Sequence, residues 1–307
     1  MPLLRQRSQV GVEIEAVEGT AETLVDADVF LAFDPSFEPS IEAHERDPAR
    51  ASLSPMPSVF GKRSGRIKFA AELVGTSAAG AANMLSDALQ ACGMGETLVA
   101  ITSATYAPAS SAIPSVTVGR FVDGKRHQIL GARGTLSLLL EVGNPGIFKF
   151  DFLGADFTEA DAALLTPTYN AVLPPTFQGA TLTIDGYAAT VSRVEIDFGN
   201  QLSLRPDANA ASGHKSVIIT NRKPTIKFDP EDVLVAAEDF LGNWRSGAQM
   251  AFSAVLGSVA GNVITITAPK VQYQSIGETT RDGLAAWDIT GLLCMNAGDD
   301  EWSIAIT

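Results

Sequence analysis

Apolar and polar residues alternate most clearly between positions 115 and 153 of the chain. Val116 and Val118 alternate with small or polar neighbours, and a second alternating run occupies residues 147–153. A period of two is typical of half-buried β-strands, and Asp123-Gly124 suits the positive backbone φ angles of a tight hairpin turn. The pattern predicts four consecutive strands that carry no set of catalytic side chains.

A strand and a helix are predicted before this region. Residues from Ile67 to Leu73 alternate in polarity, and residues 78–92 place their apolar side chains at helical spacing. Gly93 stands where a helix C-cap is expected. The expected order is therefore one strand, one helix and then the strand-rich region.

The second half of the chain repeats this order. Ile226-Lys227-Phe228 echoes Ile67-Lys68-Phe69 at an offset of 159 in the numbering (226 − 67), and a helix is predicted at residues 231–244, after Asp229-Pro230. Alternation predicts further strands around residues 182–184, 193–198, 249–256, 262–267, 271–274 and 302–306.

This organisation predicts a mainly β fold with flanking short helices, arranged as two similar domains. The proposed domains are residues 1–160 and 161–307. The repeat depends on the order of elements more than on identical letters, so a chance similarity between two β-rich domains is the alternative interpretation.

Residues 34–60 have a composition that disfavours both helix and central strand. They contain Pro35, Pro39, Pro48, Pro55 and Pro57 with mixed charges between them. A long extended loop is predicted here. Such a loop is either disordered or an arm that orders against a neighbouring subunit.

Bulk composition narrows the class of protein. A length of 307 residues allows two ordinary domains, and an apolar content of 46% is enough for packed cores. The formal charge of -13 argues against a protein that grips nucleic acid by its phosphates, because that binding needs clustered lysine and arginine. A strand-rich, self-contained globular chain is the expectation.

The two cysteines and the amino terminus exclude other classes. Cys92 and Cys294 are far apart and lack any metal-ligand spacing, so neither a disulfide framework nor a zinc site is indicated. Arg5 and Arg7 are not followed by an apolar leader, and no run approaches a membrane span. We expect a protein that is cytosolic when made and has no association with a membrane.

The candidates for catalysis are weak. His44, His127 and His214 are remote from one another, and the small-residue run at 75–80 has the wrong spacing for a nucleophile elbow. Asp299-Asp300-Glu301 lacks the spacing of a calcium loop, and adjacent strand residues point to opposite faces. We expect no catalysis, no cofactor and no metal.

The pieces, taken in order, resemble the major tail tube protein family of long, non-contractile-tailed (siphovirus-type) phages. No single motif is specific, and the resemblance rests on the order and spacing of several over roughly 250 residues. The segments that carry it are Gly61 to Phe69 with Glu72-Leu73, Leu89 to Met94, Gly124 to Gly134, Asp197 to Asn200, and Gly298 to Glu301.

The resemblance implies a β-sandwich or barrel whose sheets join those of neighbouring copies into a ring around a channel. Stacked rings would form the tail tube through which DNA leaves the capsid without specific binding. The length and the repeat favour trimeric pseudo-sixfold rings over hexameric ones. The implied partners are further copies of the chain, a tape-measure protein, a tail terminator and distal tail proteins, and the implied location is the virion tail.

Three sets of residues follow as candidates for assembly. Edge strands would supply the ring interface, the proline-rich loop the contact between rings, and carboxylates the wall of the channel, where like charge would keep DNA from adhering. The sets are Ile67, Phe69, Leu73, Ile147, Phe148 and Phe150 for the ring, Pro48, Pro55 and Pro57 between rings, and Asp197, Asp299, Asp300 and Glu301 for the channel.

A second class of function is compatible with the same pattern. A two-domain β-sandwich could serve as a binding or adhesive module of a virion, and a β-rich hydrolase is a weaker third interpretation. The first interpretation predicts polymers with a central hole, the second a discrete oligomer that retains a ligand, and the third an activity lost with one histidine or serine.

Overall fold

Strands dominate the fold, as the alternation predicts. The structure, a computed structural model, describes residues 2–76 and 78–307. The strands of the first half are β1 (Ser8–Ile14), β2 (Val29–Phe30), β3 (Phe33–His44), β4 (Val59–Glu72), β5 (Met94–Val99), β6 (Ser103–Pro108), β7 (Val116–Val122), β8 (Lys125–Glu141), β9 (Ile147–Gly154) and β10 (Asp156–Asp161).

The second half adds a similar series. Its strands are β11 (Thr181–Ile184), β12 (Arg193–Asp197), β13 (Asn200–Pro206), β14 (His214–Arg222), β15 (Thr225–Phe228), β16 (Gln249–Leu256), β17 (Ile264–Arg281), β18 (Leu284–Leu293) and β19 (Ser303–Ile306). The helices are α1 (Ser86–Ala91) and α2 (Phe240–Ser246), and Asp26–Asp28 form a short 3₁₀ turn. The mainly β fold with flanking short helices is confirmed.

Two strand predictions need correction. Residues 115–153 form three strands and not four, because β8 runs unbroken for 17 residues. The segments predicted separately at 262–267 and 271–274 are both part of β17, which continues through a bulge between Tyr273 and Ser275. Strands of this length pair with different partners along their two halves.

The first helix is shorter than predicted because Asn83 forms hydrogen bonds outside the helix. Its side-chain amide donates to the Val74 carbonyl at 2.6 Å, its Oδ1 accepts from the Leu85 backbone N–H, and its own N–H donates to the Tyr106 hydroxyl. An asparagine that hydrogen-bonds in this way competes with the helical ladder. The helix predicted from residue 78 therefore begins only at Ser86.

The second helix also begins later than predicted. Asp239, and not Asp229, is its N-cap, and the Asp239 side chain accepts from the Gly242 N–H. The Asp229 carboxylate instead accepts from the backbone N–H groups of Ser192 and Arg193. The segment after it runs beside β18 as an isolated bridge, so residues 231–239 are not helical.

The prediction of a loop at residues 34–60 is wrong for the first part of this segment. Pro35 and Pro39 lie inside β3, which pairs with β4 across a hairpin, and only residues 45–58 lack regular structure. An edge strand tolerates proline because a missing N–H on its outer side breaks no ladder hydrogen bond. Pro48, Pro55 and Pro57 remain in the irregular tip.

Eight strands form a continuous antiparallel sheet that crosses both halves. Their order is β3, β4, β9, β8, β12, β15, β18 and β17. We call this the central sheet. One of its faces packs on the hydrophobic core, where aromatic side chains pack with ring centroids 5.1 to 6.0 Å apart, among them Phe69, Phe148, Phe150 and Phe152. The opposite face is open.

The two halves share six strand pairings. In the first half these are β1–β7, β3–β4, β4–β9, β7–β8, β8–β9 and β8–β10. The second half has β11–β16, β12–β15, β15–β18, β16–β17, β17–β18 and β17–β19 in the same chain order. All are antiparallel, and each half places its helix after the third matching strand.

The register of β3–β4 agrees with that of β12–β15. Ile67 pairs with Phe37 in β3, and Ile226 pairs with Ile196 in β12. The residue numbers of both partners differ by the same amount between the two pairs (226 − 67 and 196 − 37). This difference is also the offset between the two Ile-Lys-Phe segments. We call residues in matching rows counterparts.

A β-bulge also recurs at matching places. The β7–β8 ladder is interrupted between Val116 and Val118, and the β16–β17 ladder between Met250 and Phe252. Both ends of the interruption are displaced equally along the chain (250 − 116 and 252 − 118). A bulge re-aims a strand locally, so the two ladders bend at the same step.

Candidate assembly surfaces

The strands predicted to offer ring edges are interior strands. β4 pairs with both β3 and β9 from Gly65 onward, and β9 pairs with both β4 and β8, so neither predicted segment has a free ladder of N–H and C=O groups. The expectation that these two segments are edges is therefore wrong. Of the side chains predicted at the ring interface, five are buried in the chain's own core and one is half-buried; they are Ile67, Phe69, Leu73, Phe148 and Phe150, and Ile147.

The halves are joined by one pairing within the central sheet. The carboxyl-terminal part of β8 pairs with β12, with Ile196 opposite Leu138 and Val194 opposite Leu140. These four side chains are fully buried. We call this pairing the internal joint, and it makes the sheets of the two halves continuous.

Two edges of the central sheet stay unpaired among the described residues. β3 pairs with β4 alone, and the final stretch of β17, residues 276–281, pairs with β18 alone. β3 matches β12, and this stretch of β17 matches the part of β8 in the internal joint, since Leu136 and Ile276 face Phe150 and Ile289 in corresponding rows. The two free edges of the central sheet therefore correspond to the two strands that pair with each other in the internal joint.

The open face of the central sheet carries a mixed set of charges. Several form ion pairs across strands, such as Arg66 with Asp151 at 3.2 Å and Lys68 with Glu38 at 3.1 Å. Burial raises the pKa of Asp151, although Arg66 and Lys68 lower it. The face carries both carboxylates and cations; they include Glu38, Glu72, Glu141, Asp151, Glu195, Asp197 and Asp288, with Arg66, Lys68, Lys149, Arg193, Lys227 and Arg281.

The four carboxylates predicted for the channel lie in two places. Asp197 is on the open face of β12 and accepts from the Gly199 N–H. Asp299 and Glu301 both bind Arg222, in loops beside β14, and Asp300 accepts from three N–H groups of its own turn. Hydrogen bonds from Ser110 and Arg222 lower the pKa of Asp299, and those from its turn lower the pKa of Asp300.

Two arginine–carboxylate pairs occupy matching positions in the halves. Arg63 binds Asp156 through two bonds of 2.6 and 2.9 Å, and Arg222 binds Glu301 at 3.0 Å. The residue numbers of the two arginines differ by the same amount as those of the two Ile-Lys-Phe segments (222 − 63). The residue numbers of the two carboxylates (301 − 156) differ by the same amount as those of matching residues in β10 and β19. The sequence did not predict these pairs because their members are remote along the chain. The one sequence feature that points to them is the arginine shortly before each Ile-Lys-Phe segment.

A hairpin in each half extends beyond the central sheet. Residues 39–65, which we call the arm, are the distal part of β3–β4, and residues 198–224, which we call the clasp, contain β13 and β14. The clasp folds onto the first half, where Arg133 donates to the Val217 carbonyl and Asn200 donates to the carbonyls of Cys92 and Gly134. The arm is almost entirely exposed.

The histidines are not brought together. His127 stacks on Phe37 with ring centroids 4.7 Å apart, His214 contacts the Arg63 carbonyl, and His44 lies on the arm. Burial, with nearby Lys125 and Arg120, lowers the pKa of His127. Within residues 2–76 and 78–307, no cluster of histidine, cysteine and carboxylate groups could hold a metal ion.

No helix in the described part of the chain is long and apolar enough to cross a membrane. The two thiols are unpaired there, and burial raises the pKa of Cys92 well above its ordinary value. The surfaces that remain unexplained by the chain's own fold are therefore the two free edges, the open sheet face and the arm.

A strand-rich fold whose main sheet ends in two free edges is the kind of fold that structural proteins use to pair strands with a partner. A family model agrees with this class. The model for phage tail tube proteins matches residues 5–287, nearly the whole chain, and the chain therefore belongs to the phage tail tube protein family. A comparison with curated proteins finds no match.

Proposed function

We propose that the chain self-assembles into stacked rings that form a phage tail tube of the siphovirus type, the channel for DNA ejection. The observation that carries this proposal is the internal joint together with the two free edges that match it. In the joint, β8 of the first half pairs with β12 of the second. The same contact repeated between chains pairs β17 of one copy with β3 of the next and leaves no edge open.

The internal joint predicts the register of the contact between chains. Asp197 lies opposite Ser137 within the chain, and the counterparts of these residues are Glu38 and Gly277. Directly opposed residues of antiparallel strands have Cα atoms about 4.5 to 5.5 Å apart, which is within the range for a disulfide. Glu38→Cys with Gly277→Cys should therefore link neighbouring copies under oxidation.

Three chains per ring follow if each contributes two similar domains, residues 1–160 and 161–307, to a pseudo-sixfold assembly. The shared pairings, registers and bulges of the two halves support this division. A hexameric ring is the alternative. The ring symmetry decides between them, because a closed ring of six chains would contain twelve such units.

The open face of the central sheet is our candidate for the wall of the channel. Asp197 lies on it, and cations of the face form ion pairs with carboxylates of neighbouring strands. A wall whose cations are paired in this way offers DNA phosphates few free cations, so DNA passes without specific binding. Asp299, Asp300 and Glu301 remain candidates only as a second acidic surface beside the sheet.

Contacts between rings are assigned to the tip of the arm. Residues 45–58, with Pro48, Pro55 and Pro57, have no partner strand and are mostly exposed. Deleting this tip should leave single rings but prevent long tubes. Tape-measure, terminator and distal tail proteins are the expected partners at the interior and ends of the tube, after synthesis in the host cytoplasm.

Negative-stain electron microscopy with mass measurement tests the proposal. We expect stacked annular particles with a hollow centre and a smallest closed species of three chains. A discrete, unpolymerised particle that retains a ligand would overturn the proposal and favour the adhesive β-sandwich module. The cysteine pair at positions 38 and 277 should give covalent species of up to three chains, and each single variant serves as its control.

A further inference from the structure

We propose that the arm of one copy docks on the second half of the neighbouring copy in the same ring, over the end of α2 and the adjoining part of β17. This inference rests on the ring proposed above and names a further contact within it. It is carried by the match between the arm and the clasp, which makes the corresponding contact inside the chain.

The arm and the clasp are counterparts residue by residue. Ile41 pairs with Arg63 in the arm, and Asn200 pairs with Arg222 in the clasp, with equal displacement of both members (200 − 41 and 222 − 63). Both ladders have a bulge just beyond these rows. Past the bulge the register again agrees, because Ala43 pairs with Phe60 as Leu202 pairs with Ile219, at the same displacement (202 − 43 and 219 − 60).

The clasp covers the end of α1 and the adjoining part of β8. Asn200 reaches the carbonyls of Cys92, at the end of α1, and Gly134, on β8, at 2.7 and 3.0 Å. Ile219 lies over Gly93, where an added Cβ would be 3.6 Å from its Cδ1. The clasp therefore extends the internal joint, because it leaves β12 and continues across the half to which β12 is paired.

The matching surface of the second half has no such cover within the described chain. α1 buries four of its six residues, whereas α2 buries only Phe240. Leu241 and Trp244 on α2 are 42% and 40% exposed. Gly247 ends α2 with a φ of 70°, as Gly93 follows α1 with a φ of 83°, and its carbonyl accepts from Gln272 of β17 at 3.2 Å.

The arm has apolar side chains that suit this surface. Phe60, the counterpart of Ile219, is 72% exposed, and Ile41 and Val59 are each 51% exposed. Ile219 is partly buried because the clasp lies against its own chain. If β3 pairs with the neighbour's β17 as β12 pairs with β8, the arm continues over that neighbour's α2 and brings Phe60 to Gly247.

Cysteine pairing tests this contact. Phe60→Cys with Ser246→Cys, one residue before Gly247, should give covalent species that end at three chains after mild oxidation of assembled protein. Leu53→Cys with Ser246→Cys is the matched control, because Leu53 is fully exposed in the tip and has no counterpart contact. We expect little cross-linking in that control.

The outcomes separate this inference from the ring itself. Rings seen by electron microscopy without a 60–246 cross-link, or with cross-linked species that contain more chains than one ring, would overturn the docking of the arm while leaving the tail tube intact. Absence of rings from the unmodified protein would remove both proposals.

A charge substitution adds a readout that does not depend on oxidation. Phe60→Asp should leave the circular dichroism spectrum of the single chain unchanged, since the side chain is exposed, and raise the concentration needed for rings at least tenfold. Leu53→Asp should raise it by less than twofold. Equal effects of the two substitutions would contradict the proposed contact.

Discussion

The clasp and the arm have the same length and register, yet one is folded against its own chain and the other extends into solvent. The difference lies at their bases. In the clasp, Gly199 adopts a φ of 64° and Pro224 precedes β15, so the hairpin leaves the central sheet at a bend. In the arm the corresponding residues are Ser40 and Gly65, both within continuous strands.

This comparison teaches that contacts made inside the chain have counterpart surfaces that the same chain leaves free. The internal joint shows how a β8-type strand receives a β12-type strand, and the clasp shows what covers the helix beside it. The matching positions are α2 and the free edges of β3 and β17, which have no such partner among the described residues. If the proposed ring forms, variants in the joint or the clasp should affect folding, and variants of their counterparts should affect assembly.

The largest expected difference concerns Ile196 and its counterpart Phe37. Ile196→Ala removes a fully buried side chain from the internal joint and should lower the free energy of unfolding by about 3 kcal/mol. Phe37 is only half-buried, so Phe37→Ala should cost about 1 kcal/mol in the unassembled chain. Urea denaturation of the two variants checks this order.

Assembly should invert that order. We expect Phe37→Ala to weaken ring formation more than it weakens the fold, whereas Ile196→Ala should weaken rings only in proportion to its loss of stability. Equal destabilisation of the unassembled chain by both variants would show that β3 is as well packed as β12 and would break the comparison.

The matching ion pairs give the next largest effect. Arg222 and Glu301 have side chains only 15% and 14% exposed, so Arg222→Met should destabilise the chain by about 2 kcal/mol. Arg63 is 41% exposed, and Arg63→Met should cost about 1 kcal/mol because solvent screens its pairing with Asp156. Thermal unfolding of both variants measures the difference, and a larger loss for Arg63→Met would contradict it.

A smaller effect is expected from detaching the clasp. Asn200→Ala removes the two hydrogen bonds to the carbonyls of Cys92 and Gly134 and should cost about 1 to 2 kcal/mol. Its counterpart Ile41 is exposed, so Ile41→Ala should change stability by less than about 0.5 kcal/mol. Hydrogen exchange at residues 92–93 should increase in the first variant alone, and unchanged exchange there would argue that other contacts hold the clasp.

Local alternation is enough to predict most strands, and β16 has its predicted bounds, Gln249–Leu256. The echo of Ile67-Lys68-Phe69 in Ile226-Lys227-Phe228 marks the register that relates the two halves. These features can be predicted because the alternation of a strand depends only on neighbouring residues in the sequence.

Features that depend on remote partners escape such reasoning. The start of α1 is set by contacts of Asn83 with Val74 and Tyr106, and β3 forms despite its prolines because β4 offers a ladder on one side only. The prediction of edges at Ile67 and Phe150 is wrong for the same reason, since alternation identifies a strand but not whether its second edge is paired. Tertiary pairing decides which strand is an edge.

The smallest expected effect is a pH dependence of stability that comes from Glu13, in the first half. Burial, a hydrogen bond with Asp28 and the nearby charges of Asp28, Asp87 and Glu22 raise the pKa of Glu13 to about 7 from an ordinary value of 4.5. The folded chain then binds more protons than the unfolded chain between these values, so this group's contribution to stability falls as pH rises from about 4.5 to 7.

Glu13→Gln should remove that loss. Its stability should match the parent chain near pH 4 and exceed it by at most about 1 kcal/mol at pH 8, after allowance for solvent screening. Glu278→Gln, at an exposed position of β17, is the control for the loss of a surface carboxylate. Urea midpoints at the two pH values measure the effect, and an equal gain at pH 4 and pH 8 would mean that Glu13 acts through packing and not through its charge.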